Sequence, residues 1–520
     1  MRLASLAFLL LCVSAVLAHM PTRTMWSLFE TLPIEAYGSG SMKLANISNI
    51  PSWITGDLFH NGFGKFEGQD ASQHNVTYHW NYLFDVTSYV MKINLRNGSA
   101  TLSTRFTPTL EYNQTFTTIP PYRSFDGTTP GATFAETIAT LETLLSYNFV
   151  VNIVRYSEDV LVTLSDQAGE AVVDPNDLNY LGAYPFNDYI RRSRLEVLTC
   201  AHPVQVGKYI YNYNTYVLGD VLANWKDPHE YVIHRMDTTQ TPLVREVITT
   251  VPVDRPSYMH SFVATQNYVV LFEYPLYWNI WEIVFGTKIL PAMDWVPSSG
   301  TTIRVIHVDP VTGHGTTVNV FKTDAMFAYH FINFYEDPDA PVIIADLAAF
   351  PDANHLHSFN LSTLRNHTEP IPPTSLKRFT IPVSPANQSL FKVTTASSNI
   401  NLDLPRFNLR YQSKPYKYAY ACGADDGDWY SYLVKVDVST GRTLGTWRRD
   451  EFWPSEPSFI ASPDAMAEDD GVVVSVVLDG NRSSSFLLIL NATTFEQIGF
   501  ADFGFRVPFP SHGFFDVKRK

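Results

Sequence analysis

The sequence predicts an all-β fold: a seven-bladed β-propeller with loops and short helices forming a cap over one face. Three observations predict it. Runs rich in Val, Ile, Tyr and Phe and bounded by turn residues dominate the chain, among them YIYNYNTYVLG (209–219), YVVLFEYPLY (268–277), TTIRVIHV (301–308), VVVSVVL (472–478) and FLLIL (486–490). The 33 prolines are scattered, which suits many short loops between strands and not long helices. A short unit also recurs, in which apolar residues lead into Asp or Asn and then a turn rich in Thr, Gly or Pro.

That unit occurs at Asn94 (KINLRNG), Asp174 (VVDPNDL), Asp237 (HRMDTTQ), Asp309 (IHVDPVTG), Asn360 (SFNLSTL), Asp437 (VKVDVSTG) and Asn491 (LILNATT). An Asx side chain bonds the backbone two residues on and starts a tight turn between antiparallel strands. The seven copies have a mean spacing of about 66 residues, which is one copy per propeller blade. A four-stranded blade takes roughly 40–45 residues, so about 20 per blade remain for loops on one face. The least β-like stretch, FAETIATLETLLSY (134–147), spaces Ile138, Leu141, Leu144 and Leu145 for a loop helix with one buried side.

From the N-terminus, residues 1–18 carry Arg2, an apolar run from Leu3 to Leu17 and then Ala18, the layout of a secretory signal peptide cleaved after Ala18. The run is short for a hydrocarbon core of about 30 Å, which disfavours a retained anchor. No Pro/Ser/Gly-rich linker, charge block or low-complexity tract divides the remainder, so 19–520 reads as one domain. Nine N-x-S/T sequons agree with a secretory, extracellular destination: Asn46, Asn75, Asn97, Asn113, Asn360, Asn366, Asn387, Asn481 and Asn491. Once the leader and Cys12 leave, Cys200 and Cys422 remain, either as one disulfide or as two buried thiols. The thiols are favoured because a core this large needs no staple. The 51 acidic residues against 37 basic ones give a net charge of −14, which argues against a nucleic-acid partner.

Four of the 15 histidines sit in distinctive segments. His202 follows LTCA, His260 lies in PSYMHSF, His330 in AYHFINFYEDP and His512 in PFPSHGFF. Each follows an apolar or aromatic approach, which aims it inward, and their spacing puts them on different blades. A propeller gathers its innermost strands at one axis, so residues far apart in sequence can converge there. Neutral imidazoles in that number suit Fe(II), Zn or Cu. His229, His355 and His367 sit among polar residues and read as surface.

These segments resemble those of a known family. GDLFHNGFGKFEG (56–68) is similar to its N-terminal G-x-L-x-R-N-G-x-G-x-F/H segment. PSYMHSF (256–262), YHFINFYEDP (329–338) and WPSEPSFIASPDAMAEDDGVVVSVV (453–477) look like its hallmark blocks, and HGFF (512–515) closes the set. The family is the carotenoid cleavage oxygenases, which includes a retinoid isomerase and stilbene-cleaving enzymes. The resemblance runs from about Pro33 to Phe515.

The resemblance implies a seven-bladed propeller and Fe(II) held by His202, His260, His330 and His512. It also implies three acids that hydrogen-bond the ligands from behind. Glu456 matches one family glutamate unchanged, while Asp166 and Asp403 stand where glutamate is usual. Aspartate is one methylene shorter, so its bond to the ring calls for a backbone shift, a bridging water or a weaker contact. His60 replaces the usual Arg and Val86 the usual Gly. The implied reaction uses O2 to cleave a conjugated double bond of a carotenoid or apocarotenoid, a lipophilic polyene, to aldehyde or ketone products.

Isomerisation of retinyl esters and cleavage of a stilbene are alternatives within the family. The absence of a cysteine in TTPGATF (128–134) lowers the isomerase reading. A non-catalytic secreted carotenoid or retinoid binder is the rival from another class. In related enzymes, the region matching 274–295 helps dock on a membrane. Here it carries Trp278, Ile280, Trp281, Val284 and Phe285, which fit either that peripheral contact or a lid packed on the propeller.

Overall fold

The computed structural model describes residues 24–33, 41–70, 76–109, 148–167, 169–186, 195–217, 229–279, 282, 290–366, 370–397, 401–425 and 428–517. Seven antiparallel sheets are arranged as the blades of a propeller. The second blade runs Asn152–Ser157, Val160–Leu164, Ala171–Val173 and Tyr180–Ala183 from the axis outward. The third has an interrupted inner strand, Leu195–Thr199 and Val204–Val206, followed by Tyr209–Val217, His229–Asp237 and Glu246–Val253. The fourth, fifth and sixth begin at Val263–Ala264, Phe331–Glu336 and Leu402–Arg406, and the seventh at Phe452–Pro454 with Ser458–Ala461.

The first blade closes the ring. Its innermost strand is Pro510–Val517, which pairs with Gly56–Lys65 in the register His60 to Gly513; Thr87–Arg96 and Ser99–Phe106 follow outward. Two short strands near the other end add to neighbouring outer edges. Met42–Lys43 joins the first blade and Ile47–Ser48 the seventh.

Strand composition follows position. Gly471–Asp479 (GVVVSVVLD) and Val342–Ala349 (VIIADLAA) are packed on both faces and carry near-continuous apolar runs. The outermost Arg442–Trp447 is exposed at four of its six residues. The core lies between blades, and one continuous apolar cluster links Tyr213, Val270, Ile303, Ala345 and Phe379 across three of them.

The recurring Asx unit proves to be one specific hairpin. Asp174, Asp237, Asp309, Asp437 and Asn491 each accept backbone N–H bonds from two or three residues on. All five sit between the third and fourth strands of their blades. In the fifth blade Ser384 does the same for Ala386, and in the first the turn is Asn97-Gly98, both at positive φ. Two copies of the unit are therefore misplaced. Asn94 lies within Thr87–Arg96 and donates to Asp57 Oδ1, and Asn360 caps the helix Leu361–Asn366 by accepting from the Ser362 N–H. That short helix packs on Thr24–Phe29, where the Arg365 guanidinium donates to the Phe29 carbonyl.

Other expectations change as well. His355 is buried, not superficial, because its ring is stacked on Phe350 with centroids 4.1 Å apart and meets Tyr329 edge-on. Burial holds its pKa down at about 3. Trp278 is buried against Tyr258 in the hairpin Leu276–Trp278 and Met293–Trp295, so it is no part of a surface patch. Ile280, Trp281, Val284 and Phe285 lie outside the described residues, as do His367, the 134–147 helix and the leader. Cys200 and Cys422 are both free, buried thiols.

Asn46, Asn97, Asn366 and Asn481 are exposed; Asn360, Asn387 and Asn491 are half-buried; Asn75 and Asn113 fall outside the described residues. Among the described residues no helix is long and apolar enough to cross a membrane.

Candidate metal centre

The structure brings His202, His260, His330 and His512 together, with one nitrogen of each inside a group spanning 4.8 Å. They come from four blades. His202 occupies the loop that interrupts the third blade's inner strand, His260 lies three residues before the inner strand of the fourth, His330 immediately precedes that of the fifth, and His512 lies on the ring-closing strand. His202 Nε2 is 2.9 Å from His260 Nε2, and His330 Nε2 is 3.1 Å from His512 Nε2.

The three remaining blades supply one acid each. His260 Nδ1 donates to Asp166 Oδ2 at 2.6 Å, His330 Nδ1 to Asp403 Oδ1 at 2.6 Å, and His512 Nδ1 to Glu456 Oε1 at 2.7 Å. Asp166 is on the second blade, Asp403 on the sixth and Glu456 on the seventh. Among the described residues no carboxylate bonds the His202 ring. Both aspartates reach their histidines directly, without lengthening. At Asp403 the chain is re-aimed by a β-bulge between Asp403 and Arg406, with Leu404 at φ 51°.

The donor set fits a cation. With Nδ1–H committed to a carboxylate, the Nε2 atoms of His260, His330 and His512 present bare lone pairs to one another. Such convergence is repulsive unless positive charge sits between them. Burial pushes His202 and His512 well below the usual histidine pKa, with the neighbouring imidazoles acting in the same direction, so both rings are neutral near neutral pH. The three carboxylates and the Arg406 guanidinium leave two negative charges uncompensated, the charge a divalent ion would balance.

Several supporting residues escaped the sequence reading. Arg406 Nη2 donates to Glu456 Oε2 at 2.7 Å and to the Gly513 carbonyl at 2.8 Å. The Tyr258 hydroxyl donates to Asp166 Oδ2 at 2.6 Å and that of Tyr430 to Asp403 Oδ2 at 3.4 Å. Their only sequence signal is nearness: Arg406 is three residues after Asp403, and Tyr258 two before His260. His60 is fully buried against Gly513, and burial lowers its pKa to about 4.

Two cavities meet the cluster. One is walled by aromatic and aliphatic residues including Phe63, Phe84, Phe359, Trp429 and Phe509. The other is more polar and includes Asn333, Arg406 and Gln412.

The family profile described as "retinal pigment epithelial membrane protein" matches residues 39–516. The chain belongs to that family, the carotenoid oxygenases. Carotenoid cleavage dioxygenase 8 of Arabidopsis thaliana is 27% identical over 496 residues, covering 89% of this chain and 81% of that protein. Beta,beta-carotene 15,15'-dioxygenase of Gallus gallus is 28% identical over 515 residues, covering 90% and 94%. A cobalt-substituted oxygenase from Synechocystis superposes with a TM-score of 0.77 at 19% identity, covering 96% of this chain and 99% of that one, a likeness of fold. This carotenoid oxygenase chain thus has carotenoid dioxygenases as relatives along nearly its whole length.

Proposed function

We propose that the chain is an Fe(II)-dependent dioxygenase that cleaves a conjugated double bond of a carotenoid or apocarotenoid to aldehyde or ketone products. The observation that carries this reading is the convergence of four imidazole nitrogens, three of them oriented by buried acids. His202, His260, His330 and His512 are the ligands, and Asp166, Asp403 and Glu456 fix three of the rings in one tautomer. Neutral imidazoles suit Fe(II) among other divalent ions, and iron is the ion that the family resemblance implies. When bound, iron supplies the electrons that make O2 reactive toward an electron-rich alkene.

The remaining work belongs to the chain. The aromatic cavity presents apolar walls beside His260, His330 and His512, against which a conjugated double bond would be oriented. Arg406 holds Glu456 in place and thereby fixes His512. The leader at 1–18 and the exposed sequons support passage through the secretory pathway, and segment 274–295 would meet a membrane from which substrate is drawn.

Metal analysis of the purified chain tests the reading, beside His260→Ala and with anaerobic Fe(II) reconstitution. About one iron per chain is expected, together with oxygen-dependent loss of polyene absorbance, and both should fall in the variant. A folded chain that takes up no iron would refute the reading and favour a binding protein.

A further inference from the structure

Among the described residues, the two cavities that meet the cluster have only His330 and His512 in common. The aromatic one takes part of its wall from the short turns Leu83–Asp85 and Asn354–Phe359, outside the blades. The polar one follows inner strands away from the histidines, along Val204 of the third blade, Phe331 to Phe334 of the fifth and Arg406 of the sixth. His202, which is half-buried, lines the polar cavity and not the aromatic one. The polar cavity measures about 150 Å³, room for a small gas molecule and not for a long polyene. Its far end reaches the surface at Leu409, which is 59% exposed, and is crossed there by a strut. Gln412 Nε2 donates to the Gln205 carbonyl at 2.7 Å, joining the sixth blade to the third across the axis by one exposed hydrogen bond. Buried Asn333 of the fifth blade holds the loop that carries Gln412. Its Nδ2 donates to the Tyr411 carbonyl at 2.9 Å, and its Oδ1 accepts from the Ser413 N–H at 3.3 Å.

We propose that dioxygen reaches the histidine cluster along the propeller axis, through the polar cavity, and that Gln412 sets the width of its mouth. This rests on the dioxygenase reading and assigns the entry path of its second substrate. Cleavage needs the polyene and dioxygen at the cluster together. A polyene lying against the aromatic wall occupies that approach, so the gas needs a passage the polyene does not fill. Phe262, Phe331, Phe334 and Leu409 give the axial passage an apolar lining. Dioxygen is apolar and enters such a lining without giving up hydrogen bonds to water. The polar groups along the way are engaged elsewhere, Asn333 by the loop and Arg406 Nη2 by Glu456 and the Gly513 carbonyl. An exposed bond between neutral groups contributes little net energy, so the strut can part as the gas passes.

The test sets opposite changes at one position against each other, with a β-apocarotenal as the polyene. Gln412→Trp lays an indole across the mouth, and Gln412→Ala removes the strut and widens it. At saturating polyene, Gln412→Trp should lower kcat/KM for dioxygen several-fold, whereas Gln412→Ala should keep or raise it. Leu409→Trp, a change at an exposed side chain, is a second blocking variant and should act as Gln412→Trp does. KM for the polyene at saturating dioxygen should stay at the wild-type value in all three. Wild-type dioxygen kinetics in both blocking variants overturn the proposal. An equal loss in Gln412→Ala also overturns it, because the bond and not the width would then matter. A raised KM for the polyene would do the same by placing the loop's effect in the aromatic cavity.

Nitric oxide binding to the anaerobic, iron-loaded chain, followed by stopped-flow absorbance, separates this inference from the reading beneath it. The gas stands in for dioxygen and needs no turnover. With the β-apocarotenal bound, Gln412→Trp should slow nitric oxide association several-fold relative to the wild type. Without the polyene the two should differ little, since both approaches are then open. If the polyene is never cleaved but this pattern holds, the axial route stands and the dioxygenase reading fails. If polyene binding alone abolishes nitric oxide association in the wild type, gas enters through the aromatic cavity and the proposal is overturned.

Discussion

Asp403 meets His330 at 2.6 Å, as close as Glu456 comes to His512 at 2.7 Å, although its side chain is one methylene shorter. The bulge and the positive φ of Leu404 bring the backbone inward and make up the difference. Asp403→Glu should therefore crowd the ring, lowering metal affinity by about 10–100-fold, as judged by iron retained against a chelator. Retained or improved affinity would show that the bulge does not set the fit. The four histidines were legible because each lies in a distinctive apolar approach, but the bulge was not, since a register shift leaves no trace in strand periodicity. His355 was misread for a related reason. Its immediate sequence neighbours include Asp352, Asn354 and His357, whereas its ring packs on Phe350, five residues back, and on the sequence-distant rings of Phe327 and Tyr329. A second residue-scale consequence concerns Glu170, which accepts from the Tyr156 hydroxyl at 2.5 Å and whose pKa burial raises to about 8. The folded state holds this proton above the pH at which the unfolded chain releases it. Glu170 thus favours folding below about pH 4.5, and stability falls as pH rises toward 8, by up to about 1.4 kcal/mol per unit. Denaturant unfolding of Glu170→Gln should show a flatter decline between those values, and an unchanged profile would mean the carboxyl is ionised in the fold.

Among elements, the turn between third and fourth strands is the one the sequence announces most plainly. Asp237, Asp309 and Asp437 begin such turns with two or more bonds to their own side-chain or backbone neighbours. The repeat therefore revealed the propeller even though Asn94 and Asn360 were counted in place of Asn97-Gly98 and Ser384. Apolar runs could not show which strand lies nearest the axis, because the inner strands of several blades are short or interrupted, as at His202. The tightest inner-strand packing is at Gly513, where an added Cβ would lie 2.1 Å from the Phe59 carbonyl oxygen and 2.6 Å from His60 Nδ1. Neither backbone nor a fully buried ring can yield cheaply. Gly513→Ala should cost about 1–3 kcal/mol in thermal or denaturant unfolding and shift the adjacent His512 enough to reduce iron content. Wild-type stability with full iron would mean that the first blade can widen.

At the scale of the molecule, the strand that closes the ring also carries one of the four clustered histidines. Among the described residues, Pro510–Val517 is the only partner that Gly56–Lys65 has on its axial side, and it also carries His512. The two roles can be separated. His512→Ala removes one imidazole but leaves the ladder to Gly56–Lys65 intact, so the ring should stay closed, monodisperse by size exclusion and rich in β signal by circular dichroism, with depleted iron. Deleting 510–520 removes the ladder itself and exposes a long inner edge of unpaired N–H and C=O groups, the feature that drives edge-to-edge association. It also removes the wall against which the second blade packs, since His512 N–H donates to the Val151 carbonyl and the Ser511 hydroxyl bonds the same residue. The truncated chain should aggregate or lose cooperative unfolding, and added Fe(II) should not rescue it. A truncated chain that remained soluble and unfolded in one sharp transition would show that the outer bridge formed by Met42–Lys43 and Ile47–Ser48 suffices to hold the first and seventh blades together. Closure would then be assigned to the outer edges of the propeller and not to its axis.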